Sequence, residues 1–169
     1  MSLAIAIDIL LPGALYTGSL TDDTQTSYDA LTWLDSRPKP LYSVVVATMQ
    51  QVIKDDLKTF ASMQRYNRQV GGFTYRGLTF DTDPNSVSAL NAVYVLAQAN
   101  KSYGVQWKLS NGTFQSLDSQ AIISTYQAII RFIELLFTTE SSIGAGVDVG
   151  SITTFNQITS QINNIANVG

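Results

Sequence analysis

Apolar positions along this chain recur in blocks, and the period changes from block to block. Val45, Met49, Val52, Ile53, Leu57 and Phe60 fall on one stripe at helical spacing, with Lys54, Asp55 and Lys58 off it. That spacing predicts an amphipathic helix over residues 43–68. Arg65 and Arg68 near its end suit the helix dipole. Residues 71–83 then switch to a period of two. Folding this segment at Arg76-Gly77 sets Tyr75 opposite Leu78, Thr74 opposite Thr79 and Phe73 opposite Phe80. One face of the ribbon is then apolar and the other polar. Arg76 is a poor first residue for a two-residue type I′ turn, so a longer turn is an open alternative.

Pro84 follows with Asp83 placed as N-cap, which predicts a second helix to about Asn100 with Val87, Leu90, Tyr94 and Ala97 inward. A second ribbon is expected where Val105, Trp107 and Leu109 alternate with Gln106 and Lys108. With Asn111-Gly112 as its loop, Leu109 pairs with Phe114. A third helix starts at Asp118, with Leu117 and Ile122 as a hydrophobic staple. Its stripe is Ile122, Tyr126, Ile129, Ile133 and Leu136, widened by Ile123, Ile130 and Phe137. Gly144, Gly146 and Gly150 predict a flexible joint over 141–150. Beyond it, Phe155, Ile158, Ile162 and Ile165 step by a coiled-coil interval. A helix this short and this poor in charge needs partners, either copies of itself or its own domain.

At the other end, Ile5, Ile7 and Ile9 alternate, and residues 3–11 read as a strand stopped by Pro12-Gly13. Residues 17–29 read as loop. Tyr28 to Asp35 is a compact apolar-aromatic piece, and Arg37-Pro38-Lys39-Pro40 ends any regular element. The expected class is α+β: three helices against two β-hairpins, with an extended N-terminal arm and a short C-terminal coiled-coil-like helix. The expected organisation is an arm over 1–42, a domain over 43–143, and a glycine joint with an oligomerisation helix over 144–169.

Composition narrows the function. The chain is 169 residues, 45% hydrophobic and only 14% charged. So little charge suggests surface covered by protein. Net charge is −3 with scattered basic residues, which argues against nucleic-acid binding. The longest apolar runs look too short to span a bilayer, and the N-terminus lacks a basic region, so no membrane insertion or signal peptide is expected. There is no cysteine and no histidine. That removes thiolate chemistry and the commonest general base and metal ligand.

Asp81 and Asp83 form an Asp-x-Asp that could serve a metal or acid/base pair, but capping by Asp83 is the stronger reading. Asp22-Asp23 reads as solvated. Asn111-Gly112-Thr113 fits a glycosylation acceptor, yet it also serves the hairpin turn. No catalytic, cofactor-binding or metal site is assigned, no cofactor is expected, and the chain is not expected to be an enzyme. The residues assigned to partner binding are Tyr28, Trp33, Leu34, Phe155, Ile158, Ile162 and Ile165.

The order of parts is also familiar. Gly72, Tyr75, Gly77, Phe80, Asp81, Asp83, Trp107, Gly112 and Phe114, across about residues 60–143, resemble an uncharacterised domain of tailed-bacteriophage tail-fibre and tail-fibre-associated proteins. Tyr28 to Asp35 with Lys39-Pro40 looks like a segment common in phage tail proteins. It departs from that segment where Leu41-Tyr42-Ser43 follows. The family carries no established catalytic residues. The resemblance implies a structural component of a phage tail, at the baseplate or the base of a tail fibre. Its partners would be further copies of the chain, a trimer first, and other tail proteins. Its place would be the virion, after synthesis in the host cytoplasm. The alternatives are an assembly chaperone absent from the finished particle and a glycan-binding or glycan-hydrolysing tail protein. On this reading, removing residues 151–169 abolishes self-association and leaves the domain folded.

Overall fold

A computed structural model of the chain describes residues 2–20 and 22–165. The protein is α+β, with six helices and three two-stranded antiparallel sheets among the described residues. It divides into two compact units, residues 1–57 and 58–169. Helix α3 (Tyr42–Val70) gives its first half to one unit and its second half to the other.

The first unit is not an extended arm. Leu3–Leu10 is helix α1, followed by strand β1 (Tyr16–Thr17), the short helix α2 (Gln25–Asp29) and strand β2 (Thr32–Trp33). The predicted strand over 3–11 is therefore corrected. Leu3, Ala6 and Ile7 are buried while Ile5 and Ile9 face outward. An apolar run interrupted only by Asp8 satisfies both periods, and tertiary burial selected 3.6 over 2. Asp23 accepts the Leu3 amide hydrogen bond at 2.9 Å, and Thr24 caps α2 by accepting from Ser27 N. Leu3, Ala6, Ile7, Tyr28, Leu31 and Val45 close a small core of their own.

In the second unit, α3 is followed by ribbon β3 (Phe73–Tyr75) and β4 (Leu78–Phe80). Helix α4 (Pro84–Ala99) leads to ribbon β5 (Gly104–Lys108) and β6 (Phe114–Asp118). Helices α5 (Ser119–Asp148) and α6 (Phe155–Asn163) complete it. The β3–β4 register is Phe73↔Phe80, Thr74↔Thr79 and Tyr75↔Leu78, as the pattern requires. Arg76 takes φ +50 and Gly77 φ +77, so the turn has two residues and Arg76 tolerates the left-handed conformation. The longer turn is thereby excluded.

The β5–β6 register is Lys108↔Phe114, one residue away from the predicted Leu109–Phe114 pair. Leu109 N donates to Thr113 O, and Gly112 N to Leu109 O, giving a three-residue loop with Gly112 at φ +83. A one-residue slip moves side chains to the opposite face. Phe114 accordingly lies outward beside Lys108, 67% exposed, while Leu109 and Leu117 are buried.

Helix α5 is capped by Asp118, which accepts from Ala121 N at 2.8 Å. It does not end before the predicted joint over 141–150. It runs through Gly144 and Gly146 to Asp148, and its buried stripe continues from Leu136 to Ile143 and Val147. The end is a Schellman motif: Gly150 N donates to Val147 O, and Ser151 N to Gly146 O. Gly146 is needed for close approach, because a Cβ there would lie 2.8 Å from Ile152 Cδ1. By length and composition α5 could also cross a membrane, a property that core helices share. This corrects the reading that every apolar run is too short.

Helix α6 packs against its own unit. Ile158 and Ile162 are fully buried, and Phe155 meets Phe60 edge-on with ring centres 4.7 Å apart. The predicted joint and oligomerisation helix are thus part of one compact body. A capping box of Thr154 and Gln157 starts α6.

Three stability outcomes follow. Ile158→Ala should cost about 2–5 kcal/mol in urea unfolding, and Thr154→Ala about 1 kcal/mol. A loss below about 0.5 kcal/mol at Ile158, within the range of ordinary surface changes, would place α6 off the core. Arg76→Asn should stabilise by roughly 0.5 kcal/mol, because Asn-Gly suits this turn; a destabilised variant would mean that the Arg76 guanidinium, 5.1 Å over the Tyr75 ring centre, outweighs the strain.

Candidate interaction surface

The first unit presents its open surface at the free end of the β1–β2 ribbon. Tyr16 and Trp33 pair across it with parallel rings 5.9 Å apart. One step further, Leu34 N donates to Leu15 O at 2.9 Å, and both leucines project outward, 63% and 59% exposed for Leu15 and Leu34. The base beneath them is locked. Asp35 receives Arg37 Nε and Nη2 at 2.8 and 2.7 Å, and Trp33 Nε1 donates to Arg37 O at 2.7 Å. The forked Arg37 hydrogen bonds hold the Asp35 carboxyl far below the usual carboxylate range. Of the sequence-assigned residues, Leu34 is therefore open and Trp33 half-buried. Tyr28 is interior, with its hydroxyl on Pro40 O and Lys39 Nζ over its ring. Burial pushes its phenol upward.

The second unit has a groove of about 470 Å³ between antiparallel α3 and α5. Helix α3 supplies Lys58, Ala61 and Arg65, one step per turn. Helix α5 supplies Phe137, Glu140, Ser141 and Gly144. The floor is small-sided, and a Cβ on Gly144 would meet nothing within 4 Å. Arg65 Nε donates to Glu140 at 2.8 Å, with side chains only 13% and 24% exposed, and its guanidinium carbon lies 4.4 Å from the Phe137 ring centre. Lys58 bridges Asp148 at 2.7 Å in a more open position. This pairing explains a glutamate near a helix C-terminus, where the dipole alone disfavours it. No sequence pattern announces it, because the partners are 75 residues apart.

The other assigned residues, Phe155, Ile158, Ile162 and Ile165, are drawn together on α6 but toward their own unit. Ile158 and Ile162 are covered, Phe155 is half open, and Arg68 Nη2 donates to Ile165 O at 3.3 Å. In this fold the two central isoleucines are not available to another chain.

The Asp-x-Asp segment is occupied by structure. Asp83 caps α4 through Asn85 N and Ser86 N, and the Ser86 hydroxyl, then these amides, lower its carboxyl below the ordinary value. The residue between the two aspartates was missed by sequence reasoning. Thr82 is fully buried, receives Gly72 N at 3.1 Å and donates to Gln69 O, tying β4 to the end of α3. Asp22 is lowered by the Ser27 and Thr24 hydroxyls. Among the described residues no group of three acidic side chains is placed to hold a metal ion.

A family model described as a domain of unknown function, DUF4376, matches residues 52–164. The chain belongs to the DUF4376 family. The DUF4376 match takes in the groove and runs past the end of α6, so the terminal helix is part of the family domain. The Leu15–Leu34 patch lies outside it. No curated protein and no solved structure matches the chain.

Glu140→Ala strips a half-buried guanidinium of its carboxylate and should cost about 1–2 kcal/mol. Lys58→Ala breaks an open bridge and should cost under about 0.5 kcal/mol. Equal losses in thermal unfolding would contradict this ranking. Acid sensitivity gives a further check. A folded-state carboxyl held below its unfolded value stabilises above about pH 4, and the contribution is lost as pH falls through the folded value. Asp83→Asn should therefore show a shallower acid-induced loss of stability than the parent below about pH 4; superimposable acid limbs would exclude a role for this cap.

Proposed function

We propose that this chain is a structural component of a bacteriophage tail, at the baseplate or the base of a tail fibre, acting through protein–protein contact. The observation that carries the reading is the Leu15–Leu34 pair. Two large aliphatic side chains stand side by side on a base fixed by an aromatic stack and a bidentate ion pair. Rigid apolar anchors over a preorganised base are what association energy draws on, since little side-chain entropy is then lost on docking. The resemblance of residues 60–143 and 28–40 to phage tail proteins, and the low charge of the whole chain, support the same reading.

Assembly by this route needs an interface of about 1,600 Å², within which each Å² of apolar burial contributes about 25 cal/mol. Leu15 and Leu34 would form its centre; both lie in the first unit. The DUF4376 domain would serve as the spacer.

The test is incorporation. In purified particles the chain should be present in fixed stoichiometry by mass spectrometry. A Leu15→Asp/Leu34→Asp double variant should keep its circular dichroism and be lost from particles. A chain absent from finished particles would favour an assembly chaperone. Normal incorporation of the double variant would overturn the assigned surface.

A further inference from the structure

The loop between β5 and β6 holds the chain's single Asn-Gly sequence, Asn111-Gly112. Both residues are exposed, and around Gly112 an added Cβ would meet nothing within 4 Å. What distinguishes the site is the next residue. Thr113 sends two hydrogen bonds to Asn111 Oδ1, from its backbone N at 3.0 Å and from its hydroxyl at 2.7 Å. The backbone donor identifies the atom facing it as the oxygen. Two donors on one carbonyl oxygen withdraw charge from its carbon and stabilise the oxyanion that forms when a nucleophile adds there. The neighbouring nucleophile is the Gly112 backbone nitrogen. One bond guards it, Gly112 N to Leu109 O at 2.8 Å, at the tip of an exposed hairpin where local opening is cheap.

We propose that Asn111 is a built-in deamidation site whose reaction Thr113 assists. Gly112 N gives its proton to solvent base and bonds to Asn111 Cγ, and the carbonyl electron pair moves onto Oδ1 between the two Thr113 donors. Collapse of this intermediate, with a proton returned by solvent to the departing group, expels the side-chain nitrogen as ammonia and leaves a five-membered succinimide. One water then opens the ring at either carbonyl, giving aspartate or isoaspartate. No oxidant or reductant is consumed. The product carries one added negative charge. In isoaspartate the main chain runs through Cβ and is one atom longer. The altered loop is the three-residue connection that sets Lys108 opposite Phe114 and holds Ser110 N on Thr79 O. The reaction therefore ages the hairpin that carries the exposed Phe114, and the inference stands independently of any role in a phage.

The test is storage of the full-length protein at neutral pH and 37 °C, with peptide mass mapping and enzymatic isoaspartate detection over time. The parent, Thr113→Val and Thr113→Ser are compared folded and in concentrated urea. The folded parent should convert at Asn111 several-fold faster than folded Thr113→Val, Thr113→Ser should restore the parent rate, and all three should react alike in urea. Equal folded rates for parent and Thr113→Val would overturn the assistance. Conversion of the parent in urea but not when folded would overturn the site itself.

Discussion

The second unit depends on burial of a single stripe along α5. Ile122, Ile129, Phe132, Leu136, Ile143 and Val147 are each nearly or wholly inaccessible to water. They span almost the full length of a 30-residue helix. Cover comes in sections. Helix α4 lies against the N-terminal part, where Ser119 donates to Ala97 O and Tyr94 stacks on Tyr126 at 4.3 Å. Phe73 of the first ribbon meets Phe132 at 4.9 Å. Toward the C-terminal end, α3 is pinned by Arg65–Glu140 and Lys58–Asp148, and α6 closes the remaining side with Ile158 and Ile162. Removing any one cover exposes apolar surface at about 25 cal/mol per Å².

That division of labour explains the polar devices around it. Thr82 fixes the first ribbon to the end of α3, so that Phe73 arrives at the right height on α5. The Schellman motif at Gly150 and the close approach of Ile152 to Gly146 turn the chain back at a defined angle. The capping box then starts α6 where its two isoleucines meet the core. Each is a local hydrogen-bond solution to leaving a helix end, and each aims an apolar side chain. The groove between α3 and α5 is floored by small side chains, Ala61, Ser141 and Gly144.

Much of this was legible because several local signals agreed. The β3–β4 register followed from matching two faces at once, and Asp83 and Asp118 declared their helices by type and place. Other parts failed for identifiable reasons. Leu3–Leu10 satisfies strand and helix periods alike. Asn111-Gly112 serves a two-residue loop or the end of a three-residue one, and only pairing of the whole ribbon decides. The α6 seam has the same spacing whether it is buried by its own domain or by a sister chain, so periodicity alone left both open. At the candidate surface, Trp33 and Leu34 stood out as an apolar-aromatic cluster. Leu15 did not, because its place beside Leu34 is set by a ribbon of only two residue pairs. The α3–α5 groove is tertiary throughout.

Helix α6 belongs to the core of each single chain. Hydrogen exchange of the α6 amides, read at Ile158 and Ile162 across a wide range of protein concentration, tests it most directly. Protection should be close to that of the α5 centre and independent of concentration, since both would open only with the unit as a whole. Rapid exchange in dilute protein that slows as concentration rises would show that these isoleucines are covered by other chains, and would contradict it.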